Sequence, residues 1–507
     1  MLRVHMRSLL GSVTTGTALA VLLASCQLQP PVQPKLKQPN IVLFFVDDLG
    51  WQDVSEPFHS ERTPWNERYD TPNVERLCRE GTKFPHAYAH PVCTPSRVSL
   101  MTGMAAARHR VTHWTLNAGE PSDRQRQGML RPDWNTSGLS NDPATPKAVC
   151  AETLAHRLKS AGYHTVLVGK SHLGAVGTPG ANPRNLGFDV NVGGHAAGAP
   201  SSYLAKKSFL RRPNDTLWQP PGLSFYHGRD RFLTDVLTDE ALAKVNAAHS
   251  REEPFFLYLT HYAVHTPLDP DDRFVGEYRK AGLSEPEARY AALVRGMDHS
   301  LGRVLDWLDE QSLADNTIVV FTSDNGGLSA LARGGKKHTH NSPLKSGKGS
   351  AYEGGVRVPF AIRWPGHIAK DQSNTLPIQL EDLMPTLCDL ANVNPNCPDG
   401  RSFARTLAGK PQIAHPLFFH HPHYWGATGP GIEPFSAVRH GDLKYIWFYK
   451  PARGELYDVV RDVGETNDLI KERPDDALQL RGMLRAHLTE CDAQVPTRKD
   501  GLPVARP

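Results

Sequence analysis

Four short apolar runs, each leading into charged or amide residues, constrain this chain more than any other feature. Ile41–Val46 runs into Asp47-Asp48, and Thr165–Val168 into Lys170 and His172. Phe255–Thr260 leads to His265, and Ile318–Thr322 runs into Asp324-Asn325. Runs of this length, rich in Val, Ile, Leu and Phe, read as buried parallel strands. Helical patterns lie between them. Pro72–Leu77 follows Thr71 and places proline at the first helical position. Ala151–Ala161 sets Leu154 and Leu158 on one face and stops at Gly162. Arg289–Leu308 is a longer amphipathic stretch. The alternation predicts an α/β sandwich around a central, mainly parallel sheet. In open sheets of this kind ligands bind beyond the carboxyl ends of the strands. The four sets of polar residues are therefore expected to converge on one edge.

Past about residue 395 the pattern changes. Ser436–Arg439 and Tyr445–Phe448 flank His440-Gly441-Asp442, which reads as a hairpin. Asp475–Thr489 then reads as an amphipathic helix. The expected organisation is a catalytic domain over residues 40–395 and a smaller C-terminal subdomain, with an antiparallel sheet and a helix, over residues 396–507. A chain of 507 residues, 39% of them hydrophobic, is long enough for both. Its formal charge of +4 is modest and implies no nucleic-acid partner.

The N-terminus reads as an export signal. Arg3 and Arg7 precede an apolar stretch from Leu9 to Ala24. It ends in Leu23-Ala24-Ser25-Cys26, which resembles a bacterial lipobox. Residues 1–25 are then the signal, with Cys26 lipidated as the only membrane attachment; the alternative is an ordinary cleaved signal. Gln27 after the cysteine favours the outer membrane of a Gram-negative host by the same resemblance, and residues 26–39 read as an extended tether. The expected location is the periplasm or an outer-membrane lipoprotein.

Cys93-Thr94-Pro95-Ser96-Arg97 has the form C-x-P-x-R. Gly169-Lys170-Ser171-His172-Leu173-Gly174 has the form G-K-x-H-x-G. His265-Thr266-Pro267 follows, and Lys348-Gly349 leads into Tyr352-Glu353-Gly354-Gly355-Val356-Arg357-Val358-Pro359. In this order the segments resemble the formylglycine-dependent sulfatases of the alkaline-phosphatase-like superfamily, over roughly residues 39–395. Ser171 stands where that family commonly has tryptophan.

The residue types fit the chemistry implied. Asp47, Asp48, Asp324 and Asn325 offer oxygen donors suited to a hard cation, calcium or magnesium, not zinc. The resemblance implies that they hold calcium, with Cys93 completing the shell once a maturation enzyme has oxidised it to formylglycine. It implies that Arg97 and His172 contact the aldehyde hydrate, that Lys170 and Lys348 contact sulfate, and that His265 protonates the leaving alcohol. An unperturbed histidine pKa near working pH suits that last role.

A sulfated glycan is the expected substrate, attacked from its end. Asn191–His195, Arg211-Arg212, His420–Trp425 and Arg439-His440 are candidate pocket segments, with His195, His423 and Arg439 as sugar contacts. Two rivals are a phosphatase or phosphodiesterase of the same superfamily and an inactive glycan-binding lipoprotein. The first uses Ser or Thr as nucleophile, often with two zinc ions; the second is weakened because no position of the matched set is lost. With Cys26 and Cys93 set aside, Cys78, Cys150, Cys388, Cys397 and Cys491 remain. Cys388 and Cys397 are close enough in sequence for a local disulfide in an oxidising compartment, and free thiols are the alternative.

Overall fold

In the computed structural model, which describes residues 38–126, 128–331, 333–501 and 504–507, the strand Asn40–Val46 lies inside an eight-stranded sheet. It pairs in parallel with Thr317–Ser323 on one side and Phe255–Thr260 on the other. His164–Gly169 and then Val190–Val192 continue the parallel set. Beyond Thr317–Ser323 the strand Phe360–Arg363 runs antiparallel, followed by two short edge strands, Thr82–Lys83 and Gln372–Ser373. The signal, most of the tether and Cys26 lie outside the described residues.

Register explains why the polar residues meet. Val46 lies opposite Ser323, Phe45 opposite Thr260, and Gly169 opposite Thr260. Four strands thus end at nearly one level, and the residues that follow them leave the sheet side by side. Alternation along the central strand buries both faces. Val42, Phe44 and Val46 pack with Val236, Leu293 and Met297 of the helices Leu233–His249 and Glu285–Glu310. Ile41, Leu43 and Phe45 pack with Val98, Leu158 and Leu387 of the helices Cys93–Thr102, Leu154–Ser160 and Leu383–Leu390. Each such side chain contributes about 1.5–3 kcal/mol on burial.

The expected helices form, with shifted ends. Leu154–Ser160 starts three residues later than the apolar pattern suggests, because Thr153 accepts the His156 amide at 3.1 Å as its N-cap. Glu285–Glu310 starts earlier, with Pro286 in its first turn after Ser284. Thr71 precedes Pro72–Glu80, but its hydroxyl accepts the Ser55 amide instead of capping the helix. The first amides are capped by Asp298, whose Oδ1 accepts from Asn73 at 3.0 Å and Val74 at 2.9 Å.

At the C-terminus, Leu417–His421, Phe435–His440, Leu443–Tyr449 and Ala452–Asp458 form a four-stranded antiparallel sheet. The helix Pro474–Glu490 covers one face, placing Leu480 and Leu484 against Val438 and Tyr445. The other face packs Ile446 and Phe448 with Tyr88 and Tyr352. Lys444 projects from this sheet to Glu353 at 2.9 Å and Glu465 at 3.1 Å, and all three side chains are fully buried. Cys388 and Cys397 are free thiols.

Removing one partner from a buried ionic group leaves an uncompensated charge, a loss of about 3–5 kcal/mol. Lys444→Met is expected to destabilise the protein by that amount in urea unfolding, since it removes the cation that Glu353 and Glu465 share. An unchanged midpoint would mean the triad contributes nothing.

Candidate active site

Asp47 leaves the central strand fully buried, and Asp48 follows with φ at 62°, which turns the chain back over the sheet edge. That turn is fixed by neighbours: the Asp48 amide donates to Asp324 Oδ1 at 3.2 Å, and the Leu49 amide to Ser323 Oγ at 3.0 Å. Cys93 is the first residue of the helix Cys93–Thr102, all of whose residues are buried. A helix N-terminus carries partial positive charge and favours an anion there. Ligand atoms of Asp47, Asp48, Cys93 and Asp324 lie within 4.8 Å of one another.

Three cations thread this group. Lys170 donates to Asp47 Oδ1 at 2.7 Å. Lys348 donates to Asp48 Oδ1 and lies 3.3 Å from Cys93 Sγ. Arg97, one helical turn beyond Cys93, holds Asp324 Oδ2 through Nε at 2.9 Å. Its Nη1 donates to Thr260 Oγ1 at 2.6 Å and to the Lys170 carbonyl at 3.1 Å. Arg97 is fully buried and braces the site from behind, so its donors serve the carboxylate and two strand ends. Asn325 donates its amide to Asp48 Oδ1 at 2.9 Å.

Burial alone would raise all three carboxyls, and it wins at Asp47, which is held well above the ordinary carboxylate range. At Asp48 the effect of burial is outweighed by Lys348 and His265, and at Asp324 by Arg97 and Lys170; both are held low. Asp47 Oδ2, Asp48 Oδ2 and Asn325 Oδ1 are buried and accept no hydrogen bond. Orphaned buried oxygens are costly. Here they form, with Asp324, an all-oxygen donor set of the kind a hard cation takes. The residues present therefore fit calcium or magnesium.

The strand carrying Lys170 ends at Gly169, so strand alternation does not aim Lys170 and His172, contrary to the sequence expectation. His172 instead sits in a loop with φ at 51°. Its Nε2 lies 2.9 Å from the Thr115 carbonyl and 3.1 Å from Thr94 Oγ1. A carbonyl only accepts, so Nε2 carries the proton and the buried, unpartnered Nδ1 is left as an acceptor. Burial and Lys170 keep the ring neutral. Gly198 makes room for it: a Cβ there would stand 2.3 Å from His172 Cε1.

His265 differs from its expected state. Its Nδ1 donates to the Thr266 carbonyl at 2.8 Å, and its Nε2 faces Asp48 Oδ2 at 3.6 Å. Burial lowers its pKa, and Lys348 and Lys170 add to this against the pull of Asp48, to about 4. The ring therefore rests neutral at pH 7, not poised near its ordinary value.

Cys93, His172, His265 and Lys348 open onto a cavity of ≈ 390 Å³. Trp114, Trp218, Trp425 and Arg124 contribute to its walls. Of these only Trp425 fell in a segment singled out from sequence. Trp425 packs against the Lys348 loop, where a Cβ on Gly349 would meet its ring at 2.4 Å. None of His195, His423 and Arg439 lines this cavity. The His195 carbonyl accepts the His172 amide at 3.0 Å, placing it behind the site. His423 is buried with Thr112 and Asp123, and Arg439 is buried over the Tyr88 ring, 3.0 Å from His86 Nδ1.

Two outcomes are expected from these contacts. Gly198→Ala crowds the His172 ring and should lower turnover at least about 10-fold, while near-ultraviolet circular dichroism stays unchanged; full turnover would remove His172 from the chemistry. Calcium should raise the melting temperature of the wild-type protein, and Asp48→Ala should abolish that rise. A rise that persists in the variant would place the ion elsewhere.

Residues 39–393 match the Sulfatase family model, and residues 347–494 match that of N-sulphoglucosamine sulphohydrolase, C-terminal. The N-acetylgalactosamine-6-sulfatase of Mus musculus is 32% identical over 75% of this chain and 68% of its own length. The N-acetylgalactosamine-6-O-sulfatase of Bacteroides thetaiotaomicron is 28% identical over 89% of this chain and 93% of its own. The crystal structure of Ps i-CgsB superposes with a TM-score of 0.70 at 27% identity, covering 89% of this chain and 93% of that one. The same protein has been solved with k-i-k-neocarrahexaose. A family match over 355 residues, from 39 to 393, together with relatives of this extent, shows that the chain belongs to the sulfatase family and is a sulfuric ester hydrolase.

Proposed function

We propose that this sulfatase removes sulfate from the end of a sulfated glycan, using a formylglycine made from Cys93. The observation that carries the reading is Cys93 itself. It stands at a helix N-terminus, inside a cluster of oxygen donors and 3.3 Å from Lys348 Nζ, at a cavity with three tryptophan walls. Flat aromatic faces suit the C–H faces of a sugar ring. Names of relatives support the same substrate class, since they include N-acetylgalactosamine-6-sulfatases.

Left as a thiol, Cys93 is a poor nucleophile. Burial, with Asp324 nearby, pushes its pKa up to about 12, so the thiolate is not formed at pH 7. Oxidation to the aldehyde by a maturation enzyme replaces that thiol with a carbonyl, whose hydrate offers hydroxyl groups for attack on sulfur in two steps. Asp47, Asp48, Asp324 and Asn325 would hold the cation, which when bound supplies positive charge to the sulfuryl oxygens and to the attacking hydroxyl. Calcium suits four protein residues converging from two loops better than magnesium, which retains several waters.

The chain's own groups then divide the work. Lys170 and Lys348 face the sulfuryl group; Lys348 is held protonated by Asp48 despite burial. His172 Nδ1, its lone pair free, accepts a proton from a hydroxyl at position 93. The leaving sugar oxygen receives a hydrogen bond from Lys348 and its proton from Nε2 of His265, which rests neutral and takes that proton from solvent before delivering it. Arg97 keeps Asp324 and the Thr260 strand end in place.

Cys93 is only 3% exposed, so an ester must enter the cavity to reach it. A chain end enters more readily than an interior sugar, which supports exo action. The Arg3-to-Cys26 order supports export to the periplasm, with a lipid anchor at Cys26 and a tether before the fold.

Mass spectrometry of the peptide containing Cys93, from protein made with the maturation enzyme, should show the aldehyde. Sulfate release from sulfated hexosamines should accompany it, and Cys93→Ala should reduce release by at least about a thousand-fold with the fold intact. Undiminished release from Cys93→Ala would overturn the formylglycine mechanism.

A further inference from the structure

Among the described residues, the cavity holds one cation that the sulfuryl chemistry leaves unused. Lys170 and Lys348 each face a catalytic-site carboxylate, whereas Arg124 lines the cavity wall with its side chain exposed. Among the described residues, no carboxylate pairs with its guanidinium and none lines the cavity. Arg124 is nonetheless on a fixed backbone. Its amide donates to the Tyr424 carbonyl at 3.0 Å. The preceding Asp123 is buried against His423 Nδ1 at 3.3 Å, and Ser122 Oγ lies 2.8 Å from His113 Nδ1. Three successive residues are thus tied down, and the third presents a planar fork of donors to the space where the sugar would lie.

A guanidinium so placed matches a group with two coplanar acceptor oxygens. We propose that Arg124 binds a second anionic group on the substrate, a carboxylate or a further sulfate ester, on the sulfated sugar or the one joined to it. The preferred substrate is then a polyanionic glycan, not a singly sulfated neutral one. This rests on the carbohydrate reading above and narrows it. Arg124 acts as a specificity residue at the rim and takes no part in the bond changes at sulfur.

The test compares kcat/KM, by sulfate release from the aldehyde-bearing protein, on three sugars: one singly sulfated and otherwise neutral, one joined to a uronate, and one carrying a second sulfate. The wild-type protein should prefer one of the two dianionic sugars by roughly 10-fold or more, and which one it prefers separates carboxylate from sulfate. Arg124→Gln should cut that preference by roughly 10- to 100-fold, mainly through KM. Arg124→Lys should retain part of it, and raised salt should weaken it in the wild-type protein. Equal kcat/KM on all three sugars, or the same preference in Arg124→Gln, would overturn this inference alone. Sulfate release from an aryl sulfate but from none of the sugars would overturn the carbohydrate reading and this inference with it.

Discussion

Six ionisable side chains are buried at the sheet edge, and the site's architecture follows from keeping them paired. Taking a charge out of water costs several kcal/mol even after relaxation, so each of the six needs an opposite partner. Asp47 takes Lys170, Asp48 takes Lys348, and Asp324 takes Arg97. Each pair joins segments far apart in sequence. Asp47 and Lys170 link two strand ends, Asp48 and Lys348 link the first strand to a late loop, and Asp324 and Arg97 link a strand to the helix of Cys93. Level strand ends make these pairings reachable, and the pairings then fix where Cys93 stands.

The C-terminal sheet extends that bracing. Lys348 lies on a loop that would wander without support, but the loop continues directly into Tyr352-Glu353. Glu353 is clamped by Lys444, and its amide donates to Glu465 Oε2 at 2.6 Å. The Tyr88 hydroxyl donates to Glu353 Oε2 at 2.7 Å. A C-terminal element far from the chemistry thereby fixes the approach of a cation that touches Cys93. The buried triad acts as a positioning device, since Lys444 and Glu465 both hold Glu353 beside the Lys348 loop.

Much of this was legible from the chain. Apolar runs of strand length ending in Asp-Asp, Lys-x-His and Asp-Asn named the sheet and six of its site residues, because strand periodicity and the strand-end rule are local signals. What escaped notice depended on tertiary neighbours. Asp298 caps a helix from another helix, and no pattern around Thr71 reveals it. His172 reaches the site through a left-handed loop residue, where alternation has no meaning. The cavity walls Trp114, Trp218 and Arg124 come from irregular loops without periodicity. His423 and Arg439 looked like sugar contacts because basic and aromatic residues cluster around them. In the fold both are buried away from the cavity, His423 against Thr112 and Asp123 and Arg439 against Tyr88 and His86.

Charge balance also decides what the site accepts. With Asp47 ionised, three carboxylates against three basic groups leave the protein groups near neutrality, so they have little net attraction for a sulfate ester. A divalent cation held by Asp47, Asp48, Asp324 and Asn325 would tip that balance to about +2, and the helix N-terminus at Cys93 would add to it. The anion site would then be created by the ion, on a scaffold whose own charges cancel. This also accounts for the orphaned oxygens: Asp47 Oδ2, Asp48 Oδ2 and Asn325 Oδ1 are left without donors, although Asp47 Oδ1, Asp48 Oδ1 and Asp324 Oδ2 accept from Lys170, Lys348 and Arg97. Donors from the protein would have neutralised those oxygens permanently. Leaving them bare keeps the cluster marginal without a cation and selective for an anion with one.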